Sequence, residues 1–285
     1  MGFAPLKAAL VSAAFLFGVA GCAVLSLPDT PINSQGILEK TNERGFVRHS
    51  IQAGAFQLAG YVRRSDAPAD RFTLYIEGDG APWPTPFAPP NDPTPLRPTA
   101  LAMALADPSV AVAYMARPCQ YLTADALRQC DSAWWTERRF APEVVAAYDE
   151  VVDRLKKLFS ARRVRLVGYS GGGVIAVLLA AQRTDVESVL TVAAPLSVGE
   201  WVAWHGASSL TGSLDPASLG ADTHLPPSVH FVGSNDKTVP VPIVESFIRH
   251  MGGEMVIVPG FDHECCWAHD WAKLLEHPKI RGVLK

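Results

Sequence analysis

Short apolar runs alternate with helical spacing along most of this chain. Residues 46–51 and 56–62 alternate apolar and polar positions about Gln52-Ala53-Gly54, the pattern of an antiparallel hairpin with one buried face. The runs at 72–76, 110–115, 164–167, 188–192, 229–232 and 255–258 are rich in Val, Ile, Leu and aromatic residues, as strands covered on both sides are. Between them, residues 99–106, 142–159, 172–182, 242–251 and 266–276 carry apolar positions at helical spacing. Strand and helix in turn predict an α/β fold: a mostly parallel mixed sheet, opened by an N-terminal antiparallel hairpin, with helices on both faces. No linker divides residues 46–285, which read as one domain.

Composition narrows the partners. The chain has 285 residues, 48% of them hydrophobic and 19% charged, and a net charge of −3. That is enough length for a substantial core, and it offers no electrostatic grip on nucleic acid. The N-terminus departs from the rest. Lys7 precedes an apolar stretch at 8–20, which ends in Val19-Ala20-Gly21-Cys22. A short apolar region before small residues is the pattern of a secretory signal, too short for a comfortable spanning helix. The four residues to Cys22 resemble the lipobox of bacterial lipoproteins. That resemblance implies a signal peptide at 1–21, lipidation of Cys22 and a membrane held through the lipid anchor. Ala23 stands where an Asp would favour inner-membrane retention, so the expected place is the cell envelope, at the outer membrane facing the periplasm if the source is Gram-negative. Pro, Asn, Ser and Gly with little periodicity make 22–45 a tether.

Four cysteines remain beyond the leader. Cys119 and Cys130 flank a short loop and are expected to be bridged in an oxidising compartment. Cys265 and Cys266 are adjacent; a vicinal bridge is disfavoured, leaving two free or separately paired thiols. No spacing matches a zinc site, and neither a metal nor a cofactor is implied.

The candidate chemistry centres on Gly168-Tyr169-Ser170-Gly171-Gly172. A β run enters this G-x-S-x-G turn and an Ala- and Leu-rich helix leaves it, so a serine hydroxyl stands at the tip of a sharp bend. Such a hydroxyl becomes a nucleophile when an imidazole takes its proton, and the imidazole needs a carboxylate to fix its tautomer. Among eight histidines, His263 is the candidate base, because Pro259-Gly260-Phe261-Asp262-His263-Glu264 can carry it across the carboxyl edge of the sheet. Asp236, in Gly233-Ser234-Asn235-Asp236-Lys237-Thr238-Val239-Pro240, is the candidate acid; Asp262, Asp215 and Asp222 are weaker rivals.

From residue 46 onward the order of parts resembles the α/β-hydrolase family. The serine elbow, the Gly78 turn after an early strand, and the Asp236 and His263 loops carry the resemblance. It implies an eight-stranded mixed sheet and the chain order Ser, acid, His. It also implies an oxyanion hole made by the backbone N–H groups of Gly171 and Asp79. Where relatives usually carry His-Gly, this chain has Glu77-Gly78-Asp79-Gly80. Two carboxylates beside a site of developing negative charge would weaken it unless they point away or are paired, with Arg117 and Arg97 as the candidate partners. The proline-rich stretch at 81–90 with Trp83, the segment 197–227 with Trp201, and the Trp134-Trp135 pair are placed to shape a pocket beside Tyr169, with 197–227 as a small lid.

These readings converge on a serine hydrolase that acts through an acyl-enzyme on a small-molecule or lipid-like acyl substrate, carboxylic esters first. A thioesterase, an amidase or a peptidase is the alternative within the fold. A noncatalytic envelope lipoprotein that binds a ligand is the alternative of another class, and the acidic Glu77-Gly78-Asp79 turn is what keeps it open.

Overall fold

The structure, a computed structural model, describes residues 1–2, 34–64, 69–81, 85 and 88–283. Two compact units divide the chain, 1–31 and 32–285, and every element named here belongs to the second. The signal peptide, Cys22 and Trp83 lie outside the described residues.

Eight strands build one sheet: β1 (Val47–Ala53), β2 (Phe56–Arg63), β3 (Arg71–Ile76), β4 (Val112–Met115), β5 (Arg163–Tyr169), β6 (Val186–Val192), β7 (Ser228–Gly233) and β8 (Glu254–Val258). The helices are α1 (Ser34–Glu43), α2 (Thr99–Ala106), α3 (Ala124–Leu127), α4 (Pro142–Phe159), α5 (Gly171–Ala180), α6 (Val198–His205), α7 (Val241–Met251), α8 (Trp267–Leu275) and α9 (Pro278–Val283). Strand order is β1-β2-β4-β3-β5-β6-β7-β8. β2 runs antiparallel to β1 and to β4, and every other pair is parallel.

Alternation along the strands sends side chains into two cores. Leu74 and Leu166 face the core under α4, α5 and α7, whereas their neighbours Tyr75 and Val167 face the one under α2 and α8. Helix α4 shows why the sequence signal was strong. Its buried Val144, Val145, Tyr148, Val151, Val152, Leu155 and Phe159 form one stripe, Pro142 opens it, and Ser160 closes it in a left-handed conformation. Helix α5 is buried all round, as a helix pressed into the centre of a sheet must be. Under α8, Trp271 Nε1 donates to the Tyr75 hydroxyl at 2.6 Å, which donates to Asp107 Oδ2 at 2.7 Å, so these three buried polar groups satisfy one another.

Three expectations change. The hairpin turn is Gly54-Ala55, because Ala53 already pairs with Phe56 and Gly54, at φ 51°, makes the reversal. Residues 34–43, read as tether, form helix α1, whose end packs Thr41 into the body; its polar composition hid that contact. Cys265 and Cys266 are paired with each other, across a cis peptide bond that sets their Cα atoms 3.1 Å apart; separately paired thiols assumed the usual trans spacing. The segment 197–227 contains helix α6 and a short turn at Pro216–Ser218, both pinned by Asp215, whose carboxylate accepts from the N–H groups of Val198, Gly199 and Ala217. Cys119 and Cys130 are bonded, with Cα atoms 6.0 Å apart.

Candidate active site

Ser170 stands between β5 and α5 with φ 49° and ψ −125°, a backbone conformation that a side chain rarely adopts. Crowding holds it there. A Cβ on Gly168 would collide with the Gly172 backbone, and one on Gly172 with the carbonyls of Ile76 and Glu77. Only glycine lets the elbow close this tightly against β3. The Ser170 N–H donates to Val192 O at 2.8 Å, and its carbonyl accepts from Gly173 at 2.9 Å. Strain at this position is tolerated because the neighbouring strands over-determine it.

Two loops beyond β7 and β8 bring the other side chains. They are tied together by Asn235 N–H donating to Phe261 O at 2.8 Å and Ser234 N–H donating to Val258 O at 3.0 Å. Asp236 is fully enclosed; its Oδ1 accepts from Thr238 N–H at 2.8 Å and Val239 N–H at 2.7 Å, and its Oδ2 lies 2.9 Å from His263 Nδ1. His263 Nε2 lies 3.1 Å from Ser170 Oγ. The His263 carbonyl accepts from the Tyr169 hydroxyl and from Trp267 Nε1, both at 3.0 Å, so the backbone beneath the imidazole is fixed from two sides. A carboxylate satisfied by two backbone donors keeps one oxygen for the imidazole, which sets Nδ1–H toward Asp236 and leaves Nε2 free to accept from the serine. Three residues separated by up to 93 positions thus meet in one hydrogen-bonded row. A cleft of about 880 Å³ opens between residues 234–238 and 262–264.

The rivals have other employment. Asp262 Oδ1 accepts from the N–H groups of Glu264 and Cys265, a local turn. Asp215 caps α6. His230 is buried between Thr191 and Ser228, and burial pushes its pKa down to about 3, so it is a neutral core histidine at physiological pH. Trp134 packs edge-on against Phe56 with Arg138 over its ring, and Trp201 donates to Thr238 O at 2.7 Å, against the acid loop. Tyr169 lies with its ring 5.5 Å from that of His263, and burial raises its hydroxyl pKa, so it stays neutral. Among the described residues no group of His, Cys, Asp and Glu is arranged to hold a metal ion.

The turn after β3 abuts the elbow: a Cβ on Gly78 would lie 3.3 Å from Ser170 Cβ. Gly171, the first residue of α5, has no acceptor within its helix, and among the described residues neither its N–H nor that of Asp79 is hydrogen-bonded. Both acidic side chains of the turn are accounted for. Glu77 points inward; its Oε1 accepts from Gly78 N–H at 2.9 Å and Ala100 N–H at 3.3 Å, while burial lifts its pKa to about 7. Asp79 is paired with Arg117 at 3.2 Å and with Arg139 at 3.0 Å. Arg97, the other expected partner, instead reaches Glu264 at 3.0 Å across the surface. Arg139 was missed by the sequence reading, since nothing in Thr136-Glu137-Arg138-Arg139 signals a partner 60 residues earlier.

No family model matches the sequence, and comparison with curated proteins likewise gives no match. Solved structures do match. An α/β serine hydrolase homologue from Coxiella burnetii aligns with a TM-score of 0.51 at 16% identity, over 83% of this chain and 96% of its own. The fold is that of the α/β hydrolases. Est1E from Butyrivibrio proteoclasticus with ferulic acid bound gives a TM-score of 0.58 at 14% identity, over 83% of this chain and all (100%) of its own. A lidless α/β serine hydrolase from Xanthomonas campestris gives 0.54 at 13%, over 83% and 94%. Within this fold Ser170 follows β5, Asp236 follows β7 and His263 follows β8.

Proposed function

We propose that this protein is a serine hydrolase of carboxylic esters, with Ser170 as nucleophile, His263 as general base and acid, and Asp236 as the orienting carboxylate. The unbroken row from Asp236 through His263 to Ser170 is the observation that carries the proposal. In the first half-reaction Ser170 Oγ bonds to the ester carbonyl carbon as its proton passes to His263 Nε2. The carbonyl π pair moves onto oxygen, where the N–H groups of Gly171 and Asp79 receive the charge. The tetrahedral species collapses with loss of the alcohol oxygen, which takes the proton from His263. Water then repeats the sequence on the acyl-enzyme and releases the acid. Est1E, of the same fold, binds ferulic acid, a small carboxylic acid, which supports a small-molecule acyl substrate. Asp79 paired with two arginines, and Glu77 turned away, support the catalytic reading over the noncatalytic one.

Purified protein should be labelled by a fluorophosphonate probe, and the Ser170→Ala variant should not. A folded wild-type protein that stays unlabelled would remove the hydrolase reading in favour of ligand binding.

The same proposal places the enzyme at the cell envelope. Cys22, following Val19-Ala20-Gly21, is the lipidated residue, with residues before it removed and 46–285 as the working body. Within that body 197–227 is the candidate lid, supported by Trp201 and His205, which both bond to Thr238 O beside Asp236. Cys22→Ser should move the protein from the membrane fraction to the soluble fraction; unchanged partitioning would reject the anchor.

A further inference from the structure

We infer that Arg117 and Arg139 are positioning residues for the oxyanion hole: together they grip the Asp79 carboxylate and so hold the Asp79 N–H on the charge that develops at the carbonyl. The inference rests on the hydrolase reading above and adds to it two residues, 38 and 60 positions from Asp79.

The cluster is built for holding. Arg117 follows β4 and is 3% exposed; Arg139 precedes α4 and is 9% exposed. Each takes one oxygen of the carboxylate, Arg117 Nη1 on Oδ1 and Arg139 Nη1 on Oδ2. Each is also fixed elsewhere. Arg117 Nη2 donates to the Arg139 carbonyl and its guanidinium lies 5.4 Å from the Phe140 ring centroid, while Arg139 Nε donates to Thr136 O at 2.6 Å. Each guanidinium is therefore held by a contact other than Asp79, which is what a clamp requires. Gln120 completes it. It accepts from Arg117 N–H at 3.0 Å and donates to Gly78 O at 3.1 Å, so the turn is held at Gly78 and at Asp79 by one loop, itself bridged by Cys119 and Cys130.

The carboxylate held this way lies directly against the elbow. A Cβ on Gly171 would collide with both its carbon and an oxygen, so the residue after the nucleophile is kept small by Asp79's side chain. An unpaired carboxylate here would repel the oxyanion, whereas two guanidiniums on one carboxylate leave a local net charge of +1. The arrangement turns an unfavourable residue at this position into a supported donor. Beyond it Gly80 sits at φ 100°, where a Cβ would collide with the Pro93 carbonyl, so the turn can close only on a glycine.

The test uses two probes, p-nitrophenyl butyrate turnover and the second-order rate of fluorophosphonate labelling, with the folded fraction checked by thermal melting. Arg139→Met should lower kcat roughly 10- to 100-fold, less than the loss of a whole oxyanion donor, with KM changed less than about threefold. Labelling should slow in parallel, and Arg139→Lys should recover most of the rate. If Arg139→Met does not fold, Asp79→Asn serves, since it keeps the N–H and the shape but removes the charge the arginines grip; the same fall in kcat at constant KM is expected. Where both fold, the double variant should be no slower than the slower single one, because both act through one contact. A labelled, active wild type whose variants keep its kcat, or lose it without rescue by lysine, overturns the clamp and leaves the hydrolase intact. A wild type that neither labels nor turns over removes both.

Discussion

Replacing His263 by alanine is expected to lower kcat/KM for an activated ester by about 10⁴- to 10⁶-fold, and Ser170→Ala by as much. The double variant should fall no further than either single one. The reason is that the two side chains perform one act. Without an imidazole at 3.1 Å the hydroxyl of Ser170 keeps its proton, and without the hydroxyl the imidazole has nothing to activate. What the variants leave in place under the proposal is the pair of Gly171 and Asp79 N–H groups, which would still polarise a carbonyl above the background of water. Folding should be untouched, since Ser170 and His263 are only partly buried and neither fills the core. The measurement is steady-state turnover of p-nitrophenyl butyrate with matched melting curves. Losses that multiply in the double variant, or a His263→Ala variant at the wild-type rate, would remove His263 from the role of base.

How much of this stood in the sequence depends on whether the signal was local. Strands and long helices did, because burial on a sheet or on a stripe writes its period into the chain: the 99–106 and 142–159 patterns end where α2 and α4 end. The sharp turn that carries Ser170 did as well, since strand, glycine-flanked serine and helix are consecutive residues obeying one steric rule. Asp236 and His263 were reachable because each sits in a glycine-containing loop just past a β run, and the resemblance to the fold supplied the chain order. Partner choice was less readable. Asp79 was correctly seen to need a cation and Arg117 was among the candidates, but Arg97 turned outward to Glu264 and Arg139 took its place. Which arginine reaches a carboxylate is decided by how loops fold over the sheet edge, and no periodicity records that. Helix α1 escaped for a related reason: polar and short, it owes its place to contacts such as that of Thr41 with the body, not to a pattern of its own.

Glu77→Gln should make the protein more stable than wild type at pH 8, and by less at pH 5. Glu77 has 1% of its surface exposed; its Oε1 accepts from two N–H groups, and the Tyr114 hydroxyl lies beside the carboxyl. Burial penalises the anion and lifts the pKa from 4.5 to about 7, against the smaller opposing pull of the Gly78 and Ala100 N–H groups and the Tyr114 hydroxyl. A carboxyl whose folded pKa lies above its unfolded one favours the folded state below pH 4.5, where both forms are protonated; that advantage drains away as pH rises to about 7, because the unfolded chain ionises first. Above pH 7 the folded protein carries the buried anion at a cost of about 3 kcal/mol, at 1.36 kcal/mol per unit. At pH 5 only about 1 kcal/mol has yet been lost. Glutamine has no such titration, keeps an oxygen for the two N–H donors and places an amide beside Tyr114, whose hydroxyl can accept. The gap in melting temperature between variant and wild type should therefore widen by about 5 °C from pH 5 to pH 8, at roughly 2 °C per kcal/mol for a body of this size. All other titrations are shared by the two proteins and cancel in the difference. A gap that stays constant across that range would mean the carboxyl is already ionised at pH 5, held by a partner such as a buried water, and the turn beneath the oxyanion hole would then rest on a charge instead of on a neutral acid.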